Sequence, residues 1–173
     1  MFELDFPAIK YSPCTITKEM TEILGFRPLE AYMGRDYIFV LESEEIVRQI
    51  TPDFAKMRLF PEGVGACVTA RGGEYDFASR AFPPQINVDE DPVCGVMHCS
   101  LVPYWSPILG KSEMIAKQVS RREGILYLSY YGKRVFISGN VALFATSELH
   151  IEDLKFDNLS LIIQSRQLYS KRK

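Results

Sequence analysis

The sequence predicts an α+β protein in which many short strands surround one buried helix. Residues 95–109 are apolar on nearly every side, as expected of a helix that other elements cover all round. Residues 114–145 instead form short apolar runs separated by glycines, which is typical of consecutive strands. These two observations predict a helix-poor fold with a single central helix.

The N-terminal part begins with a strand and a helix. Residues 2–6 alternate apolar and acidic side chains, which predicts a half-buried strand. Apolar side chains then recur at helical spacing over residues 16–24. Thr15 or Thr17 is available to cap this helix and Gly25 to terminate it.

A buried strand and two short helices are predicted next. The continuous apolar run at residues 37–41 favours a strand covered on both faces. Ser43 is placed to cap a short acidic helix that reaches Ile50. Thr51 and Pro52 then supply the cap and first turn of a further helix.

Most of the remaining chain is predicted to be strand. The predicted strands cover residues 64–70, 75–82, 115–119, 124–131, 134–137 and 141–145. The first two are separated by a hairpin-like break at residues 71–73. Within the apolar helix, Pro103 and Pro107 predict a kink or an early end, because proline removes a backbone donor.

The chain is predicted to form one core domain with an extension. No repeat or linker divides residues 1–150, which we interpret as a single domain. Residues 151–173 lose the alternation and are either a strand and a helix or a tail of uncertain order. Their last residues, 170–173, are basic, as in many solvated termini.

Composition narrows the class of protein. A net charge of -2, from 20 basic and 22 acidic residues, gives no field that would favour nucleic acid or an anionic membrane as a partner. The acidic start is unlike a signal peptide, and no apolar stretch is long enough to span a membrane. A cytoplasmic protein with four reduced cysteines is expected.

Residues 90–99 are the strongest candidate for a reaction centre. Glu90 and Asp91 are adjacent carboxylates at the entry to the apolar helix, and Cys94 and Gly95 follow them. The first N–H groups of a helix are unsatisfied and can hold an anionic ligand or developing negative charge. Either carboxylate would equally serve as a simple helix cap.

Three further side chains have a functional and a structural interpretation. Cys94 is either a nucleophile with a lowered pKa or a small buried apolar residue. His98 contacts a ligand, pairs with Asp91, or is a hydrogen-bonded structural histidine. Arg80 binds a substrate carboxylate, or a carboxylate of its own sheet, that of Asp76 or Glu90. No metal is expected, because the sequence offers too few ligands at suitable spacing.

These residues resemble the phenazine biosynthesis-like (PhzF-like) isomerases. The C-terminal half of that family carries the motif D-F-x-S-R-x-F-x-P followed by E-D-P-x-T-G-S-A-H. The matching residues here are Asp76, Phe77, Ser79, Arg80, Phe82, Pro84, Glu90, Asp91, Pro92, Gly95 and His98. The resemblance extends over residues 2–150 and includes Gln118, Ser120 and Arg122.

The resemblance implies one half of a diaminopimelate-epimerase-like fold, with a curved mixed sheet wrapped around a central helix. It implies an active site in the cleft between two such halves. The other half would supply a proton-shuttling glutamate and a histidine, and this half an aspartate that corresponds to Asp91. Gly95, Val96, His98 and Arg80 would then contact the substrate, and no cofactor is implied.

The sequence departs from the family motif at three positions. Val96 and Cys94 replace a serine and a threonine, and Glu123 replaces the first glycine of a Gly-Gly pair. The pair Cys94-Gly95 is also similar to the catalytic Cys-Gly of cysteine-dependent racemases and epimerases.

Three functions are therefore expected. The first is the C-terminal domain of a PhzF-like isomerase that moves a proton on a small carboxylate-bearing metabolite without a cofactor, and that is inactive as an isolated half. The second is a non-catalytic half-domain for binding or self-association, with the other half or a second copy as partner and a homodimer as the expected state. The third is a racemase-like half that uses Cys94.

Overall fold

The computed structural model describes residues 1–146, which contain nine strands in one mixed sheet. The strands are β1 (Phe2–Pro7), β2 (Ser12–Pro13), β3 (Glu30–Met33), β4 (Tyr37–Val40), β5 (Ala66–Arg71), β6 (Phe77–Phe82), β7 (Glu113–Gln118), β8 (Gly124–Tyr131) and β9 (Arg134–Gly139). Their order across the sheet is β1-β9-β8-β7-β6-β5-β4-β3-β2. The pairs β4–β5 and β6–β7 are parallel, and the other neighbours are antiparallel.

Four α-helices accompany the sheet, and a short 3-10 helix lies at Pro84–Ile86. The α-helices are α1 (Lys18–Leu24), α2 (Glu44–Gln49), α3 (Phe54–Met57) and α4 (Gly95–Leu109). The α+β class is thus confirmed, with few helices and one mixed sheet. None of the helices in residues 1–146 is long and apolar enough to cross a membrane.

Two apolar clusters cover opposite faces of the sheet. Along β4, Ile38 and Val40 belong to the cluster around α4, whereas Tyr37 and Phe39 belong to the cluster around α1, α2 and α3. Successive side chains of a strand point to opposite faces, so α4 lies on one face and the three short helices on the other. All four residues are buried, which confirms the prediction that this strand is covered on both faces.

Helix α4 continues past both Pro103 and Pro107 to Leu109. Of the two predicted effects of these prolines, an early end of the helix was therefore wrong. Pro103 has no N–H to donate to the carbonyl of Cys99, one turn earlier. The N–H of Ile9, in the segment between β1 and β2, donates to that carbonyl at 2.9 Å instead. A donor from another part of the chain therefore replaces the missing intrahelical bond.

Several element boundaries differ from the predictions. The strand expected at residues 141–145 is absent, since residues 140–146 are irregular and pair with no strand among the described residues. Helix α3 begins at Phe54 with Asp53 as its cap, because the Asp53 carboxylate accepts the N–H of Lys56. Thr51 and Pro52 are therefore not its cap and first turn. Strands β2 and β3 were not predicted.

Residues 1–141 form one compact unit, and the described residues 142–146 do not belong to it. The predicted extension at residues 151–173 lies outside the described part of the chain. The boundary proposed at residue 150 stays a prediction.

Candidate active site

The candidate site is built where α4 begins. Cys94 occupies the N-cap position but makes no capping hydrogen bond with its side chain, and the first turn of α4 holds no acidic residue. The N–H groups of Gly95 and Val96 have no partner inside the helix, because the first amides of a helix never do. The start of α4 therefore offers two donors and a partial positive charge.

Asp91 lies in the loop that leads into α4, four residues before Gly95. Its carboxylate accepts the N–H of Val93 at 3.0 Å, and its own N–H donates to the carbonyl of Ala81 at the end of β6. The side chain is only partly buried, so it can still contact a ligand. The structure therefore brings together two predicted site residues, Asp91 and Cys94, and Gly95 and Val96 follow directly at the start of α4.

The thiol of Cys94 is buried, and only 6% of the residue is exposed. Burial raises the pKa of this thiol to about 11, and the nearby Asp91 carboxylate acts in the same direction, while the backbone N–H of Met97 opposes it. A thiol of that kind is protonated at neutral pH, whereas a nucleophilic cysteine needs the thiolate. The predicted catalytic role of Cys94 has not been tested and stays a prediction.

His98 is fully buried beneath the start of α4. Its Nδ1 lies 2.7 Å from the carbonyl of Cys94, and its Nε2 lies 3.4 Å from the hydroxyl of Ser79. A carbonyl only accepts, so Nδ1 carries the proton and Nε2 accepts from Ser79. Burial lowers the pKa of His98 to about 4, which keeps the ring neutral. The ring thus donates a hydrogen bond to the N-cap residue of α4. The predicted contact of His98 with a substrate stays a prediction.

Arg80 is engaged away from these amides. Its guanidinium donates to both oxygens of Glu90, with Nε 2.6 Å from Oε1 and Nη2 3.2 Å from Oε2. Its Nη1 donates to the carbonyls of Val47, Arg48 and Ile50 at the end of α2. Of the two interpretations of Arg80, the contacts show the pairing with Glu90, and a substrate contact stays a prediction.

The rim of the site is apolar. Val93 and Val96 are 42% and 37% exposed, and Gly95 lies close to Ile137 of β9. Val96 stands where the family motif has serine, so the rim has lost a hydroxyl and gained two methyl groups.

The turn between β7 and β8 carries the third departure from the motif. Glu123 has φ of 53°, a left-handed conformation that glycine adopts more readily. Its carboxylate pairs with Arg48 at 2.8 Å and with Lys117 at 2.9 Å. Gly124 packs against Val93, where a β-carbon would collide with the valine side chain. The close contact therefore favours glycine at the second position of the pair, and at the first position Glu123 takes up a left-handed backbone while its carboxylate makes two ion pairs.

Sequence reasoning missed how the loop is held. The buried amide of Gln118, at the end of β7, bonds to the backbone at both Asp91 and Cys94. The hydroxyl of Ser120 donates to the carbonyl of Pro92 at 2.6 Å. Both residues were noted only as part of the family resemblance. Nothing in their spacing could show which backbone groups they meet, because the contacts cross between distant segments.

Residues 1–146 contain no group of three or more His, Cys, Asp or Glu side chains placed to hold a metal ion. What the site offers is one carboxylate, two amides without a partner inside the helix, and a neutral, buried thiol and imidazole. Such groups can bind an anion and take part in proton transfer.

Comparison with known proteins relates this chain to one protein family. The family model described as phenazine biosynthesis-like protein matches residues 4–147. An uncharacterized isomerase of Pseudomonas aeruginosa is 44% identical over 149 residues, which are 86% of this chain and 57% of that protein. An uncharacterized isomerase of Halalkalibacterium halodurans is 37% identical over 152 residues, or 85% of this chain and 57% of that protein.

Solved structures agree with these matches. The crystal structure of a PhzF-family phenazine biosynthesis protein of Enterococcus faecalis has a TM-score of 0.80 and 44% identity, covering 86% of this chain and 57% of that one. A PhzC/PhzF protein of Clostridium difficile has a TM-score of 0.77 and 37% identity with the same coverage.

The mixed sheet, the buried helix and the loop at its start therefore define an α+β protein with the fold of these structures. The chain belongs to the phenazine biosynthesis-like (PhzF) family. It spans 57% of the length of the relatives named above.

Proposed function

We propose that this chain is the C-terminal half of a PhzF-like isomerase, with one half of a diaminopimelate-epimerase-like fold. In the complete protein it would support proton transfer between carbons of a small carboxylate-bearing metabolite in the cytoplasm. Alone it would be inactive, because the glutamate that moves the proton belongs to the other half. The observation that carries the proposal is the Asp91 carboxylate in the loop before α4, followed by the amides of Gly95 and Val96, which have no partner inside the helix.

Each group has a defined part in this proposal. Removing a proton from a carbon next to a carboxylate leaves negative charge on oxygen, and helix amides stabilise such charge best when they are already in place. Asp91 would orient the substrate or steady the base of the other half. No metal or organic cofactor is needed, since positioned acids and bases suffice for proton transfer.

Asp91→Ala in the complete two-half protein tests the proposal. The complete protein is incubated in D2O with a panel of small carboxylates, and deuterium bound to carbon is measured by mass spectrometry. We expect Asp91→Ala to reduce incorporation by about a hundredfold or more, as when a positioned acid–base group is removed. Melting temperature should change little, because the side chain is partly exposed.

Asp89→Ala is the matched control. Asp89 lies two residues earlier and pairs with Arg58 on the surface at 2.7 Å, so its loss should leave incorporation unchanged. If Asp91→Ala exchanges deuterium as fast as the wild type, Asp91 has no part in the reaction.

The apolar rim favours a second candidate, a half-domain that binds another protein surface. Leu4 of β1 is exposed and lies opposite Ile137 of β9, which itself adjoins Gly95. Leu4, Val93 and Val96 are all apolar and exposed, and we name these three side chains the site face. Exposed apolar surfaces of this kind mark interfaces. We propose a second copy of the chain as the partner when the other half is absent.

The racemase-like use of Cys94 is the weaker alternative. Its raised pKa of about 11 is opposite in direction to the lowered pKa of a thiolate nucleophile. The isomerase proposal requires no thiolate and agrees with this direction.

A further inference from the structure

The side-chain amide of Gln118 contacts the site loop at both of its ends. Its Oε1 accepts the N–H of Cys94 at 2.7 Å, and its Nε2 donates to the carbonyl of Asp91 at 2.6 Å. The backbone partners fix which atom is oxygen and which is nitrogen, because an N–H only donates and a carbonyl only accepts. One amide therefore joins the residue that carries the carboxylate to the residue that begins α4.

The amide itself is held on a rigid part of the sheet. Gln118 is fully buried at the end of β7, where it pairs with Ser79 of β6 on one side and with Gly124 of β8 on the other. The next residue, Val119, donates its N–H to the carbonyl of Ser79 at 2.8 Å. A side chain anchored between two strands can fix a loop more closely than contacts within the loop can.

The two contacted groups decide the geometry of the proposed site. The carbonyl of Asp91 is attached to the α-carbon that bears the carboxylate side chain. Cys94 immediately precedes Gly95 and Val96, whose amides have no partner inside the helix. The distance between the carboxylate and these amides therefore depends on how the loop is held. A displacement of about 1 Å in a catalytic group is enough to lower a rate substantially.

We propose that Gln118 is a positioning residue, which sets the placement of the Asp91 carboxylate relative to the amides of α4. The catalytic purpose of this role rests on the proposed function. The placement of the carboxylate relative to the amides depends only on residues of this chain and can be tested without the other half. Ser120 contributes a single bond to the middle of the same loop, at Pro92. Gln118 differs from Ser120 because it spans the loop from end to end.

The test compares Gln118→Met with the wild type in the 15N-labelled chain. Methionine has nearly the same size and shape as glutamine. It cannot form either of the two hydrogen bonds, to the N–H of Cys94 or to the carbonyl of Asp91. We expect altered amide signals at residues 93–96 and a native spectrum elsewhere. Sodium acetate is the anion probe, and the concentration needed to shift Gly95 and Val96 should rise about tenfold, as expected when bonds that place the donors are lost. Gln85→Met, which loses one amide bond to the carbonyl of Phe60, is the matched control.

The outcomes separate this inference from the proposed function. Unchanged signals at residues 93–96 in Gln118→Met, or a lower melting temperature as the only effect, would overturn it. An unchanged acetate response despite altered loop signals would overturn it as well. If acetate fails to shift the wild type while the loop signals depend on Gln118, the placement stands and the anion-binding role of α4 fails. If Gln118→Met does not fold, Gln118→Asn replaces it in the same experiment. Asparagine keeps the amide but is too short to reach both the N–H of Cys94 and the carbonyl of Asp91, so the same outcomes apply.

Discussion

Burial keeps two side chains of the site neutral by opposite changes in pKa. It raises the pKa of the Cys94 thiol to about 11 and lowers the pKa of the His98 imidazole to about 4, because the charged form of each is poorly solvated. The partly buried Asp91 carboxylate therefore has neutral neighbours and lies in the loop that leads to the first amides of α4. A site of this kind suits an anionic substrate held by amides.

The shift at His98 predicts a dependence of stability on pH. The pKa in the folded state, about 4, lies below the ordinary value of 6.5, so the unfolded chain binds the proton more tightly. Stability should therefore be complete above pH 6.5 and fall as the pH drops toward 4. Urea unfolding should give a free energy lower at pH 5 than at pH 7.5 by about 2 kcal/mol from this residue.

The control for this prediction is His98→Asn, whose amide can still donate to the carbonyl of Cys94. The free energy of unfolding of His98→Asn should not change with pH between 7.5 and 5. The lowered carboxyl pKa values of Glu44 and Glu123 act at more acidic pH, so they do not obscure this window. An equal dependence in His98→Asn would show that His98 is not its source.

Local sequence patterns identified some residues of the candidate site but not the contacts that others make. Asp91 and Gly95 were found because a carboxylate before a glycine at a helix entry has a direct chemical meaning. Gln118 was not found, because its role depends on which distant backbone groups it meets. The contacts of Arg80 were open in the sequence for the same reason, since its partners lie on α2 and in the loop before Asp91.

At the scale of elements, predictions succeeded where local physics decides. The helix boundaries at Ser43 and Gly25 follow from capping alone, and both are confirmed. The length of α4 could not be predicted, because it depends on the N–H of Ile9 reaching across to Cys99. The strand expected at residues 141–145 has suitable apolar residues but no partner strand among the described residues, and a strand without a partner is not stable.

Helix α1 offers a direct test of capping. The sequence left Thr15 and Thr17 as equal candidates, and the structure shows that the Thr17 hydroxyl accepts the N–H of Met20 at 3.1 Å. Thr17→Ala should therefore lower the free energy of unfolding by about 1 kcal/mol in urea denaturation. Thr15→Ala, a matched change at an exposed position, should cost less than about 0.5 kcal/mol. Equal losses in the two variants would contradict the assignment of the cap.

At the scale of the whole molecule, each face of the sheet carries its own apolar core, and only one of the two faces carries the candidate site. The cluster around α1, α2 and α3 covers one face, and α4 with the site at its start lies on the other. The family relatives are longer, since this chain spans 57% of their length. We infer that the site face is the surface that would meet the remaining part of such a protein.

Exposure of the site face predicts self-association of the isolated chain. Sedimentation equilibrium should show a mass that rises with concentration, because Val93 and Val96 would bury their methyl groups against a second copy. Val96→Ser, which restores the hydroxyl of the family motif, should weaken association about fivefold, in line with the apolar area it removes. Val88→Ser is the matched control, since Val88 is 38% exposed and Val96 37%. A monomer at every concentration, or equal weakening by both variants, would show that the site face is not an interface between copies, and the partner would then have to be a different chain.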